Sequence, residues 1–363
     1  MVAKKDRPIT INQKDVARLA GVSTSTVSRA LARPEMVSPE TRKRVLEAAR
    51  ALGYSPNQLA RSLRKRGSRT LGLIVSDILV PFHAQVAKGV EDVASQFGFA
   101  TILCNTGEDP EEEARYLEVL RGFQVQGVII EPTRDAAARI EAFIKSSGIQ
   151  VVELDRISGA RGVTSVLSDN MAGAASAAEH LLDLGHRSFA VIAGDTSITS
   201  GHERLAGFQK ALQRRGVELD PRWILTCPNT PDGGYAAARK LFSRAPFPSA
   251  LFVQNAQMMS GVLRAAREVG VRIPDELSVV CFDDTEWTAL VHPPLTVVAQ
   301  QAYELGRTAA RIIVESMERG ASRRKARTVR LETRLIVRES SRPLAGGGRV
   351  PDGSAVPGHG PPA

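Results

Sequence analysis

The chain has 363 residues, 43% of them hydrophobic and 24% charged, with a formal net charge of +9. That length allows two or three domains, each with its own apolar core. Its three cysteines, Cys104, Cys227 and Cys281, are odd in number and scattered, which argues against a disulfide frame or a zinc site and for a reducing compartment.

Residues 1–15 are polar and charged and hold no apolar stretch of signal-peptide or membrane-spanning length, so a soluble, cytoplasmic protein is expected. The charge is unevenly spread. Residues 1–70 hold 16 Lys and Arg against 5 Asp and Glu, and the remainder is close to neutral. A compact basic head on a near-neutral body is the electrostatic footprint of nucleic-acid binding. A solvated basic arm would show the same charge, but this head carries regular helical patterning.

The first such pattern is DVARLAGVSTSTVSRAL, Asp15 to Leu31. Val16, Leu19 and Ala20 give one apolar face, and Val27, Ala30 and Leu31 give another. Between them, Gly21 suits a sharp turn and Ser23 caps the second helix. That helix exposes Thr24, Ser25, Ser28 and Arg29, a set of short donors and a guanidinium. The arrangement fits a helix-turn-helix whose second helix lies in a DNA major groove. Taken alone, it also fits an ordinary surface helical hairpin. A third helix starts at Ser38-Pro39 and ends before Gly53, with Val45, Leu46, Ala49 and Leu52 to close a small core. Arg42, Lys43, Arg44 and Arg50 remain free for phosphates.

Residues 54–69, YSPNQLARSLRKRGSR, start a short basic helix at Ser55-Pro56 that runs to about Arg64. Two turns are marginal alone in water, so it needs a partner copy, DNA, or both. Leu63 is a large apolar side chain among Arg61, Arg64, Lys65 and Arg66. It reads either as a contact to the rest of the protein or as a wedge between base steps in the minor groove.

From residue 70 the pattern changes to short apolar runs alternating with helix-length stretches. Strands are expected at Leu71–Val75, Ala100–Cys104, Val128–Ile130 and Val151–Leu154, with helices over Phe82–Phe97, Pro110–Arg121 and near Ala136–Ser146. The series restarts with helices near Asn170–Leu184, Glu203–Arg215, Gly234–Phe242 and Gln257–Val269, and strands at Phe189–Ile192, Ala250–Val253 and Ser278–Phe282. Val291–Thr296 reads as a rigid connector, followed by a helix over Tyr303–Glu318 and strands at Thr328–Leu331 and Arg334–Val337. This is the signature of two α/β lobes built on parallel sheets, with a cleft between them. Residues 342–363, rich in Gly and Pro, read as a disordered tail.

Ligands of such sheets bind beyond the carboxyl ends of the strands. Asp155-Arg156 follows VVEL, Asn255 follows ALFVQ, Asp283-Asp284 follows SVVCF, and Arg204 sits early on a helix. Carboxylate, amide and guanidinium groups there suit a polyhydroxylated or charged small molecule. Any one of them alone also fits a salt bridge or a helix cap. No Gly-x-Gly-x-x-Gly follows the first strand, no phosphate-cradling GK[ST] run occurs, and the serines near His186 and His202 lack a nucleophile elbow. No catalytic residue, metal or cofactor is therefore expected.

The runs KDVARLAGVSTSTVSRAL and VSPETRKRVLEAARALGYSPNQLARSLR resemble the lactose-repressor family of bacterial transcriptional regulators, and the likeness extends from about Thr10 to Glu339. It implies a helix-turn-helix head over 1–55, a hinge helix and linker over 56–69, and a body over 70–341 like periplasmic sugar-binding proteins. In that body lobe one is about 70–168 plus 297–327, and lobe two is 169–296 plus 328–341. By matching position, Thr24, Ser25 and Arg29 resemble base-reading residues, Leu63 an intercalating hinge leucine, and Asn57 and Arg64 hinge contacts to DNA. Asp155, Arg204, Asn255 and Asp283 match effector-contacting positions, as do Phe82, Ser200 and Gln300. The resemblance implies a homodimer on a pseudo-palindromic operator, released or retained according to a sugar or sugar derivative in the cleft. The alternatives are a co-repressor-dependent or activating regulator with a non-sugar effector, and a periplasmic-type sugar-binding protein, which would need a secretion signal and no basic head. The chain departs from the family pattern at Ala256, where Asp is common, and at Cys281, where Gly is usual. Asn229 stands where relatives stack an aromatic ring. Trp287 is an alternative ring, with core or interface as its other readings.

Overall fold

The computed structural model describes residues 11–54, 68–318 and 326–344. Asn57, Leu63 and Arg64 lie outside the described residues, as does most of the expected tail. The chain divides into a head that ends at Ser68 and a body that begins at Arg69.

The head is three helices, α1 (Gln13–Ala20), α2 (Thr24–Ala32) and α3 (Pro39–Ala51). Their starts follow from capping. Asn12 and Asp15 form a reciprocal box on α1, Ser23 Oγ accepts from Thr26 N at 3.1 Å, and Ser38 Oγ accepts from Thr41 N at 3.2 Å with Pro39 in the first turn. Gly21, at φ +63°, turns the chain between α1 and α2. Val16, Ala17, Ala20, Val27, Val45, Ala48 and Ala49 make the buried core. Two expectations change here. Leu19 is 55% exposed, because the tight α1 packing is made by the small Ala17 and Ala20 instead. Arg44 is committed within the head: its Nη2 donates to the Ala20 carbonyl at 2.5 Å, at the negative end of α1.

The body holds two six-stranded sheets of matching topology. Lobe one runs β1 (Thr70–Val75), α4 (Pro81–Gln96), β2 (Ala100–Asn105), α5 (Pro110–Gly122), β3 (Gly127–Ile130), α6 (Ala137–Ser147), β4 (Gln150–Leu154) and β5 (Thr164–Ser168). Lobe two follows with α7 (Asn170–Asp183), β6 (Phe189–Ala193), α8 (Thr199–Arg214), β7 (Ile224–Thr226), α9 (Pro231–Phe242), β8 (Ala250–Val253), α10 (Ala256–Val269), β9 (Ser278–Phe282), α11 (Glu286–Leu290) and β10 (Thr296–Ala299). The chain returns through α12 (Ala302–Glu318), β11 (Thr328–Leu331) and β12 (Arg334–Ile336). The sheet orders are β11-β5-β4-β3-β1-β2 and β12-β10-β9-β8-β6-β7. Every pair is parallel except β10 with β12.

Strand alternation sorts the core onto the two faces of each sheet. Leu71, Leu73 and Val75 pack with Val86 and Val90 of α4 and Leu305 and Ile313 of α12. Ile74, Val128 and Ile130 pack on the other face with Leu117 and Leu120 of α5 and Ile140 and Phe143 of α6. In lobe two, Leu251 and Val253 meet Met258 and Val262 of α10, while Phe252 stacks on Phe208 of α8 at 4.8 Å between centroids. With both faces covered, the strands are apolar almost throughout, which is why their sequence reads as continuous apolar runs.

The expected lobe boundaries shift. β10 pairs with β9 in lobe two, so the chain leaves that lobe after Ala299 and not at 297. β11 pairs with β5 in lobe one, so the return crossing follows Leu331 and not residue 327. In both cases a short strand finishes an existing sheet before the polar residues Gln300-Gln301 and Glu332-Thr333 carry the crossing. Packed chain also extends past 341. Arg342 N donates to Ser278 Oγ at 3.1 Å, and Leu344 N donates to the Leu184 carbonyl at 2.9 Å.

Candidate functional site

The strands of both lobes end at one cleft, which encloses a cavity of about 800 Å³. Phe82, Asp155, Ser200, Arg204, Asn255, Asp283 and Gln300 all line it. The matching sheets explain two of these placements. β4 and β9 are the third strands of their sheets, and each is followed at once by an aspartate, Asp155 and Asp283. Both aspartates hold left-handed backbone, φ +62° and +78°, which turns the chain sharply at the cavity edge. Asp tolerates this region better than most residues, and such positions cluster where structure serves a site.

On the lobe-two wall, Arg204 Nε donates to Asn170 Oδ1 and Nη1 to the Gln254 carbonyl, both at 2.8 Å. Asn255 caps α10 by accepting from Met258 N at 2.8 Å, and its Nδ2 donates to Asn229 Oδ1 at 3.0 Å. The cap and the cavity position therefore coexist in one side chain. Asp283 Oδ1 accepts from Gln300 Nε2 at 2.6 Å, and Gln300 Oε1 accepts from Ser168 Oγ at 2.6 Å. That relay joins the end of β9, the crossing after β10 and the end of β5. Ser200 lies in the first turn of α8, which starts four residues earlier than its apolar pattern suggests.

On the lobe-one wall stands a buried ion network that the sequence reading does not anticipate. His83 Nε2 lies 2.8 Å from Glu131 Oε2, and His83 Nδ1 lies 2.6 Å from the Asp77 carbonyl. Both ring nitrogens face acceptors, so the ring is held as an imidazolium. Burial would lower its pKa, but the charge and hydrogen bond of Glu131 and the Asp77 carbonyl override this and raise it to about 9. Glu131 also accepts from Ser76 N at 3.0 Å and pairs with Arg156 Nη2 at 2.9 Å. Burial pushes Glu131 up, yet Arg156 and His83 together hold it well below the usual carboxylate range. Arg156 also grips Glu108 with both terminal nitrogens at 2.7 Å. Asp155, beside this network, is raised by burial and by the Glu131 charge, and its Oδ1 is shut from solvent with no partner among the described residues. Glu131 follows GVII as Asp155 follows VVEL, so the same strand-end rule points to it.

Several contacts cross between the lobes. Arg134 pairs with Asp195 at the cavity rim, Ile157 N donates to Thr199 Oγ1 at 3.1 Å, and Arg330 grips Glu203 with two nitrogens at 2.9 and 2.6 Å. In the head, Thr24, Ser25 and Arg29 are exposed on α2, with Ser25 Oγ 2.7 Å from Ser23 Oγ. Among the described residues there is no cluster of metal-ligating side chains and no helix long and apolar enough to cross a membrane.

Comparison with known proteins matches residues 12–57 to bacterial regulatory proteins of the lacI family and residues 178–341 to a periplasmic binding protein-like domain. The HTH-type transcriptional repressor PurR of Haemophilus influenzae (strain PittEE) is 34% identical over 306 residues, 83% of this chain and 90% of that protein. Among solved structures, the transcriptional regulator CelR in complex with cellobiose is 34% identical with a TM-score of 0.70, covering 91% of this chain and 100% of that one. The Lac repressor dimer bound to operator and the anti-inducer ONPF is 29% identical with a TM-score of 0.80, covering 92% and 99%.

Proposed function

This chain belongs to the lacI family of bacterial regulatory proteins, and from that membership we propose that it represses transcription as a homodimer on a pseudo-palindromic operator, under the control of a sugar or sugar derivative bound in the cleft. It is a DNA-binding transcriptional regulator controlled by a small molecule. The observation that carries the effector reading is the convergence of the seven expected side chains from both lobes on one cavity. CelR, similar over nearly the whole chain, is a cellobiose complex, which supports a sugar.

In this reading α2 enters the major groove. Arg29 reads a base edge, guanine by the geometry of its fork, and Thr24 and Ser25 add shorter contacts. A pair of Leu63 wedges kinks the operator centre, flanked by Asn57 and Arg64, with the stacking cost offset by wider contact. Effector binding changes the arrangement of the lobes and so the pairing of the two hinge segments. It shifts DNA affinity only through its differential affinity for the two states, about 1–3 kcal/mol or roughly 5–150-fold. The chain acts in the cytoplasm, where its DNA is, and no catalytic role is proposed.

The test is binding of the purified protein to its own promoter fragment against random duplex of equal length. Preference for the promoter by at least a hundredfold is expected, altered by one member of a panel of sugars. Equal binding to both duplexes, with and without the panel, would overturn the reading.

A further inference from the structure

We propose that Trp287 is the stacking platform of the cavity and that the effector it selects is an uncharged sugar. This rests on the effector reading above and sharpens it to a residue and a charge class.

The aromatic side chains of this cavity are Phe82 on lobe one and Trp287 on lobe two, with the imidazolium of His83 edge-on to Phe82 at 5.3 Å. Asn229 also lines the cavity but offers no ring, and its Oδ1 is held by Asn255. Trp287 is well built for the task. It is half-buried, with part of its surface packed against the lobe-two core. It sits on α11, which is anchored by the fully buried Thr288. Thr288 Oγ1 donates to the Thr285 carbonyl at 2.6 Å and lies 2.8 Å from Asp284 Oδ1. Asp284 is in turn gripped by Arg338 at 2.9 and 3.1 Å. The indole thus needs little further ordering when a ligand arrives. A pyranose presents a face of C–H groups, apolar enough to lie on an indole, and a rim of hydroxyls for polar partners.

The charge class follows from the wall. It carries six carboxylate side chains against four basic ones. Three of the four bases are already matched to carboxylates: His83 and Arg156 to Glu131, Arg156 also to Glu108, and Arg134 to Asp195. Arg204 uses neutral partners for Nε and Nη1, but its charge already acts on Asp155. A phosphate or carboxylate entering here meets one cation not paired with a carboxylate, Arg204, and an excess of acid, and like charges in a site of low dielectric repel strongly. Hydroxyls meet carboxylates and amides that accept or donate without a charge penalty.

The two tryptophans of the chain allow a direct readout. Trp223 lies outside this cavity, in a groove beside β7, so Trp223→Phe leaves Trp287 as the sole indole reporter. That protein would be titrated with cellobiose, maltose and glucose, and with gluconate and glucose 6-phosphate at equal concentration. At least one neutral sugar should change the emission of Trp287, and the two anions should not. Calorimetry should then show affinity for that sugar weakened at least tenfold by Trp287→Ala and largely restored by Trp287→Phe, with thermal melts checking that each variant folds. Tighter binding of an anion, or unchanged affinity in Trp287→Ala, would overturn the proposal. So would the absence of binding by every neutral probe, and if promoter binding stood in that protein the regulator reading would survive. Sugar binding without promoter preference would be the reverse case.

Discussion

The guanidinium of Arg204 lies 3.9 Å from the centroid of the Phe282 ring, the residue that immediately precedes Asp283. Three parts of lobe two meet at this one side chain: α7 through Asn170, the residue that follows β8 through the Gln254 carbonyl, and β9 through Phe282. Arg204→Ala would strand a buried amide and a carbonyl and remove a cation–π contact. A loss of roughly 2–3 kcal/mol of body stability is expected, together with the response of DNA binding to effector. Arg204→Lys should not rescue it, because an ammonium cannot serve both partners and the ring in one plane. Thermal melts and operator binding with and without sugar check this, and a retained response would remove Arg204 from the site.

His83 makes stability depend on pH. Its pKa is raised from 6.5 to about 9 in the folded chain, so its contribution is fully present below pH 6.5 and is lost as pH rises through 9. The shift corresponds to at most about 3 kcal/mol. The melting temperature should therefore fall between pH 7 and 10. His83→Gln should be less stable at pH 7 but lose less over that range. Parallel melting curves for the two proteins would refute the assignment.

Much of the site can be read from the chain, and the rest fails for identifiable reasons. Asp155 and Asp283 stand out because buried parallel strands are apolar runs, and a run that stops on an acid marks a sheet end. Glu131 stops an apolar run in the same way, but His83 is hidden, because only the pairing of β1 with β3 brings the two together and nothing in the segment around His83 marks its partner. β5 escapes notice because it carries Ser165 and Ser168. Its burial depends on Ser165 Oγ donating to Glu153 Oε2 of the paired strand β4 at 2.8 Å and Ser168 Oγ donating to Gln300, which distant chain supplies. β7 has three residues, too few for any periodicity to show. The crossings between lobes are misplaced for a related reason: β10 is a short apolar run and β11 alternates polar and apolar residues, Thr328-Val329-Arg330-Leu331, so either would suit either sheet and only their neighbours decide.

The head and hinge yield a prediction with two separable parts. Leu63→Ala should lose DNA bending and most sequence preference while effector affinity in the body survives. Arg29→Ala should relax specificity at one operator position, at a cost of about 1–3 kcal/mol. Both proteins should keep a steep fall of affinity with salt, since phosphate contacts remain. Bending measured by fluorescence resonance on a labelled operator separates the two. A Leu63→Ala protein that bends DNA as the parent does would remove the wedge.

Helices α4 and α12 close on each other through a pair of glycines, and this supplies the sharpest test of lobe one. A Cβ on Gly89 would stand 2.1 Å from the Tyr303 carbonyl oxygen, and one on Gly306 would stand 2.1 Å from that of Val86. Both obstacles are backbone, so a methyl group cannot be accommodated by turning a side chain, and the helices must separate. The same reciprocity recurs in lobe two, where Gly234 meets the Met258 carbonyl and Gly261 that of Pro231. Gly122, at the end of α5, is the control, with nothing within 4 Å of a Cβ and no left-handed backbone. Gly89→Ala should cost about 1–3 kcal/mol or more, and Gly122→Ala should be neutral or stabilising by up to about 1 kcal/mol. Urea unfolding of the three proteins distinguishes the outcomes. If Gly89→Ala proved as stable as Gly122→Ala, helix propensity alone would govern both positions and the close crossing of α4 and α12 would be wrong.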